Sequence, residues 1–151
     1  MKKNILILIV AILAVFYGNL LSSQQEKNAS AENKSEDAKI AEAKDAAELW
    51  LNLLDNEKYD ETWNNASTFF KEIVPKKNWL KDISKIKKIF GKLKSRKLIG
   101  TKYLTSIPGG PDGEYVTLIY QSDFDNKKNA IETITPMLDK DSWRVAGYYI
   151  K

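Results

Sequence analysis

The sequence predicts an α+β domain in which N-terminal helices pack on a curved four-stranded antiparallel meander. Three observations carry that expectation. Up to Phe90 the apolar residues recur at helical spacing, beyond Gly91 the period changes to two, and Ile107-Pro108-Gly109-Gly110-Pro111-Asp112-Gly113-Glu114-Tyr115 separates the first two alternating runs. That stretch suits neither a helix interior nor a central strand, because proline removes a backbone donor and glycine tolerates positive φ. It reads as a wide β-hairpin loop.

The chain has 151 residues, room for one domain after an N-terminal targeting segment is set aside. Lys2 and Lys3 precede an unbroken apolar run, Ile5 to Phe16, in the order of a secretory signal, so residues 1–23 are expected to be a signal peptide cleaved near Ser22 or Ser23. The alternative is an uncleaved inner-membrane anchor over residues 5–21, slightly short of the roughly 20 residues that span a bilayer. Either way the chain is expected to be exported, with the periplasm as its first destination. With no cysteine it carries neither a lipid-modified N-terminal cysteine nor a disulfide. Residues 24–36, rich in Gln, Asn, Ser, Lys and Glu, read as a polar disordered linker, which leaves 37–151 as a single α+β domain. Within the linker, Glu26-Lys27-Asn28-Ala29-Ser30 has the form of a bacterial N-glycosylation acceptor, a motif short enough to arise by chance in any polar tail.

From about Asp37 to Leu54, Ala43, Ala47, Trp50 and Leu54 fall on one helical face. Asp55-Asn56-Glu57-Lys58 breaks the pattern, and a second short helix presents Tyr59, Trp63 and Ala66 before Phe69 and Phe70. Pro75 opens the next helix, where Trp79, Ile83, Ile86 and Phe90 repeat the spacing and Gly91 supplies the stop. Four strand-like runs follow, Leu98 to Ile107, Glu114 to Phe124, Ala130 to Leu138 and Ser142 to Ile150, with Asp125-Asn126 and Lys140-Asp141 as hairpin turns. Pro136 removes a ladder donor from the third run and predicts a bulge or an edge. The Glu114 run carries apolar residues on both alternations, Val116 and Leu118 on one and Tyr115 and Ile119 on the other, so both sheet faces are expected to be partly covered.

Several separated motifs resemble one bacterial family. Trp50-Leu51-Asn52-Leu53-Leu54-Asp55, then Tyr59 and Trp63, Ser95-Arg96, Pro108 to Tyr115, Glu132-Thr133 and Trp143-Arg144-Val145-Ala146-Gly147-Tyr148-Tyr149-Ile150 look like the bacterial domain of unknown function 4019, over about residue 40 to the end. The resemblance implies an exported bacterial protein and no particular activity. Where it implies an arginine and a proline ahead of Gly91, this chain has Lys87 and Ile89. The helix-then-meander plan is also similar to cystatin-like and nuclear-transport-factor-like cone architectures, a likeness that licenses no function.

The absence of histidine and cysteine excludes Ser-His-Asp and Cys-His nucleophile systems and leaves only carboxylates for a zinc site, so no metal and no cofactor are expected. Tyr103, Tyr115, Tyr120, Glu114, Glu132, Tyr148 and Tyr149 are the groups a cone-fold enzyme would use for acid/base work on a small molecule. Tyrosines on strands more commonly pack their rings and satisfy their hydroxyls at the rim. No residue is assigned a catalytic role. The candidate recognition loop is Pro108, Gly109, Gly110, Pro111, Asp112, Gly113, Glu114 and Tyr115, and the candidate polar contacts to a ligand are Arg96, Tyr120, Glu132 and Arg144. Arg96, one of only two arginines in a lysine-rich chain, suggests planar bidentate contact with a carboxylate. Glu132 and Arg144 lie on adjacent runs, where an ion pair requires diagonal reach or a shifted register.

The net charge of +4 falls to +2 without Lys2 and Lys3, so only the charge distribution is informative. Between Lys71 and Lys102 there are twelve basic residues against Glu72 and Asp82, while Glu26 to Glu61 is rich in acids. Such a basic run suits an anionic surface, or is a solvated helix face. Export and the lack of aromatics interleaved with the lysines argue against nucleic acid. The expected function is a non-enzymatic envelope domain that binds a protein, an envelope polymer or a small ligand. The alternatives are the cone-fold enzyme and a purely structural accessory protein.

Overall fold

The computed structural model describes residues 33–151, so the expected signal peptide or anchor, the Asn28 motif and most of the linker lie outside the described residues. Residues 33–38 are helical, and the domain proper is Lys39–Lys151. It opens with α1 (residues 39–55), whose buried Ala43, Ala47, Trp50 and Leu54 form the expected face, joined by Leu51. Glu57, at φ 61°, ends the helix: its N–H donates to Leu54 O and that of Lys58 to Leu53 O, the two bonds of a Schellman cap.

The single short helix expected next is two, α2 (Tyr59–Asn65) and α3 (Thr68–Ile73). Buried Ser67 causes the break. Its hydroxyl accepts from Phe70 N at 3.0 Å to cap α3, while its own N–H donates to Val145 O on an edge strand at 2.9 Å. A long-range bond thus interrupts a pattern that looks continuous along the chain. Helix α4 (Lys76–Phe90) starts after Pro75 and stops at Gly91, as its residues predict.

The sheet consists of β1 (Leu93–Leu104), β2 (Tyr115–Phe124), β3 (Ala130–Asp139) and β4 (Ser142–Ile150), antiparallel in the order β1-β2-β3-β4. Strand β1 begins and ends earlier than its apolar alternation suggests. Gly91 reverses the chain at once, and Asp125 holds the return through Lys92 N at 2.9 Å. The solvated lysines that follow conceal the period. The β3–β4 turn is Lys140-Asp141 with Asp139 opposite Ser142, as expected. The β2–β3 connection is longer than Asp125-Asn126: Phe124 N donates to Lys127 O, and Asn129, at φ 53°, donates its N–H to the Asp123 carboxylate. A register shift at Thr135/Pro136 supplies the bulge predicted by the proline.

One sheet face meets the helices. Val116, Leu118 and Tyr120 of β2, Ile134 of β3, and Trp143 and Val145 of β4 join Trp50, Phe70, Trp79 and Ile83 in the main core. Its indoles are satisfied as well as packed: Trp50 donates to Thr62 O at 2.8 Å and Trp79 to Thr62 Oγ1 at 2.9 Å. On the other alternation Tyr115, Met137 and Ala146 form a smaller cluster with Phe69, Leu104 and Ile107. Both faces are therefore partly covered. Among the described residues, no helix is long and apolar enough to cross a membrane.

Gly91 has φ 80° and ψ −160°, a combination essentially confined to glycine, and a Cβ there would lie 2.7 Å from Asp125 Cβ. Gly91→Ala is expected to lower stability by about 1–3 kcal/mol. Urea unfolding monitored by tryptophan fluorescence measures the loss, and an unchanged midpoint would show that the α4–β1 corner relaxes freely.

Candidate functional site

The most concentrated chemistry lies where the ends of α1 and α4 meet the sheet. Arg96 stands opposite Ser122 on β2, and Glu132 stands one row along, opposite Tyr120. The guanidinium reaches diagonally across β2. Its Nε donates to Glu132 Oε2 at 2.7 Å and its Nη2 to Oε1 at 3.0 Å. On its other edge Nη1 donates to Asp55 Oδ2 at 2.6 Å and Nη2 to Oδ1 at 3.1 Å. Asp55 is the last residue of α1, and Lys87, in the last turn of α4, donates to its Oδ1 at 3.3 Å. Glu132 further accepts from the Ser122 hydroxyl and, at 2.7 Å, from the Tyr148 hydroxyl.

This fully buried carboxylate thus receives four hydrogen bonds, about what its lone pairs can take. The two cations Arg96 and Lys87 balance the two anions Asp55 and Glu132. Burial works against the Arg96 charge, but the hydrogen bonds it donates to Glu132 and Asp55 outweigh it and raise its pKa further. Burial, reinforced by the Glu132 charge, holds the Tyr148 hydroxyl in its protonated, donating form. Tyr120, beside this cluster, is pushed up to about 12 by burial and by the charge of Glu48. The arrangement is an ionic lock that fastens α1 and α4 to all four strands.

Of the four polar candidates, the fold brings together Arg96, Glu132 and Tyr120 and leaves Arg144 elsewhere. Glu132 pairs with Ile150 across the ladder and Arg144 with Met137, so the Glu132–Arg144 contact considered from sequence does not form. The side chains that complete the lock are Asp55, Lys87, Ser122 and Tyr148, of which only Tyr148 stood out by residue type. Asp55 and Tyr148 do lie in the motifs that carry the family resemblance. Lys87, standing where that resemblance implies arginine, keeps the charge against Asp55 without the fork.

The loop from Pro108 to Tyr115 folds back on itself. The Tyr115 ring is fully buried and its hydroxyl donates to Pro111 O, while Gly113 N donates to Thr105 O at 3.2 Å. A Cβ on Gly110 would meet Ile107 Cγ1 at 2.6 Å, and Gly109 has φ 75°. Glu114 is anchored by Lys39 Nζ at 3.0 and 2.9 Å from its two oxygens, and Pro111 and Asp112 are exposed. Tyr115→Phe removes the bond to Pro111 and is expected to cost about 0.5–1.5 kcal/mol. A chemical denaturation curve reads that loss. No change would mean that the hydroxyl does not hold the loop.

Two open depressions lie beside α1, and a third, of about 260 Å³, is lined by Asp55, Tyr59, Lys87, Lys88, Lys92 and Asp125. A groove of about 460 Å³ is lined by Leu49, Trp50, Leu53, Trp143 and Arg144, among others. A cleft of about 250 Å³ is lined by Glu48, Leu51, Asn52, Asp55, Arg96 and Tyr120, and the buried Tyr120 hydroxyl has no hydrogen-bond partner among the described residues. No group of acidic side chains among the described residues is arranged to hold a metal ion.

A family model described as "Protein of unknown function (DUF4019)" matches residues 46–148, a span that contains the whole lock and the loop. Among curated proteins and among solved structures, none matches the chain.

Proposed function

The chain belongs to the DUF4019 family of proteins of unknown function, and from that premise we propose that it is an exported, non-enzymatic interaction domain of the cell envelope. The observation that carries the reading is the open groove beside Leu49, which is 72% exposed on α1. Leu49, Trp50, Leu53 and Trp143 supply its apolar part, and Asn52, Glu61, Asn65 and Ser142 its polar part. Arg144 stands at its side with no carboxylate within ion-pair distance among the described residues. Apolar side chains beside an arginine that makes no ion pair suit a protein segment that presents an apolar side chain next to a carboxylate. The interior supports the same reading, because Trp50, Phe70, Trp79 and Tyr148 fill the space between helices and sheet with rings in mutual contact.

A photo-crosslinker in place of Leu49 in the purified chain, exposed to envelope extract, is expected to capture a discrete protein. Arg144→Glu is expected to abolish the capture while leaving the unfolding midpoint unchanged. Capture that survives Arg144→Glu, or that occurs only from the exposed Asp112 in the loop, removes the groove from the account. In the latter case, Asp112→Ala with normal stability and lost binding assigns recognition to the loop.

The unpartnered Tyr120 hydroxyl favours a second reading, a small polar molecule in the Arg96 cleft as ligand or substrate. Under that reading Tyr120→Phe weakens small-molecule binding or turnover and leaves the Leu49 cross-link untouched.

A further inference from the structure

We propose that the outer face of α4 is a docking surface for an anionic lipid bilayer. Lys77, Lys81, Lys85 and Lys88 are all exposed and, at 3.6 residues per turn, fall within an arc of about 80° over a length of about 16 Å. None has a carboxylate within ion-pair distance among the described residues, and exposed Lys92 extends the row past the end of the helix. The lysines of α4 that do have partners lie outside this arc: Lys76 pairs with Asp60 and Lys87 with Asp55. Asp82, the one acid on the helix, lies roughly 60° beyond Lys85. The helix thus sorts its lysines into those that stabilise the fold and those left to solvent.

Three features select a bilayer over other polyanions. The helix's aromatic residues are turned inward, with Trp79 in the core and Phe90 against Phe124, so no rings stand among the lysines to stack on bases. Ile89 is 68% exposed and follows Lys85 round the helix by roughly 40°, which puts an apolar side chain where it enters the headgroup layer as the ammonium groups meet lipid phosphates. The apolar run Ile5 to Phe16 places the same chain at a membrane under the export reading. Docking by α4 is independent of the Leu49 groove, and either stands if the other fails.

The absence of native cysteine permits single-site labelling of the full chain. An environment-sensitive fluorophore on Asn78→Cys, exposed on the rim of the row, is measured with vesicles of phosphatidylcholine alone and with vesicles that also contain phosphatidylglycerol. The first arm isolates any contribution of the N-terminal apolar run. The label is expected to enter an apolar environment only with phosphatidylglycerol and to return to water at high salt. Neutralising Lys77, Lys81, Lys85 and Lys88 to Gln is expected to weaken binding by roughly fivefold per lysine, several hundredfold for the four together. A label on Tyr149→Cys, exposed on the other face of the sheet, is expected to stay in water. The proposal is overturned if the Asn78 label stays aqueous with phosphatidylglycerol, or if the four-Gln variant binds as the parent does. It is likewise overturned if the parent prefers duplex DNA or polyphosphate to the vesicles, which would reassign the row to a soluble polyanion.

Discussion

Arg96→Ala is expected to destabilise the domain by about 3–5 kcal/mol, a large share of the roughly 5–15 kcal/mol that holds an average domain folded. The substitution removes two of the four hydrogen bonds to Glu132 and both of those that Arg96 makes to Asp55. Asp55 is 19% exposed, so water and Lys87 take up part of the loss there. Glu132 is 0% exposed and has no such recourse. Arg96→Lys restores a charge but not a planar fork able to grip both carboxylates, so an intermediate loss is expected. Glu132→Gln, combined with Arg96→Ala, separates the pair from its surroundings: a coupling of about 0.5–3 kcal/mol is expected between these residues in direct contact. Urea denaturation of the four species measures the cycle. If Arg96→Ala stays within about 1 kcal/mol of the parent, the cluster is not the lock that its geometry describes.

The course of the chain was legible wherever a local signal decided it. Pro75, Gly91, Lys140-Asp141 and the bulge at Pro136 each act through backbone restrictions that operate over a few residues. The misreadings have a common cause, since contacts between distant residues set those features. Ser67 divides α2 from α3 because its N–H finds Val145 O, and β1 starts at Leu93 although its outward lysines hide the alternation. The lock follows the same rule. Arg96 and Glu132 stood out singly, one as a rare arginine and the other as a candidate acid/base or ion-pairing group. Their pairing depends on a diagonal step across β2, and Asp55 reaches them only because α1 ends above that row. The α4 lysines show the converse: twelve basic residues in one run looked uniform, and the fold divides them into paired and unpaired sets.

Trp79→Ala is expected to cost a similar amount, about 3–5 kcal/mol, by a different route. The ring is 8% exposed and touches three others, with centroids 5.3 Å from Phe70, 5.7 Å from Trp50 and 6.5 Å from Tyr148. Truncation removes these contacts and leaves a void between α4 and the sheet that the neighbouring rings fill only in part. Trp79→Phe keeps most of the ring and drops only the N–H to Thr62 Oγ1, so a loss of about 1–2 kcal/mol is expected. Trp63 provides the contrast. It is only partly buried and, besides its bond to Val74 O, its ring receives Lys71 and Lys76 at 5.8 and 5.6 Å, contacts worth about 0.5–1 kcal/mol each at exposed sites. Trp63→Ala should therefore fall well short of Trp79→Ala in a shared denaturation series. The Trp79 void also bears on function, because it opens the region where an enclosed small-molecule site would have to lie. If Trp79→Ala, still folded, takes up a benzene-sized apolar probe that the parent refuses, the parent's interior is filled by its own rings. Recognition then belongs to the surface, to the groove beside Leu49 and the lysine row of α4. Uptake by the parent itself would reverse that argument and return the interior to consideration as a site.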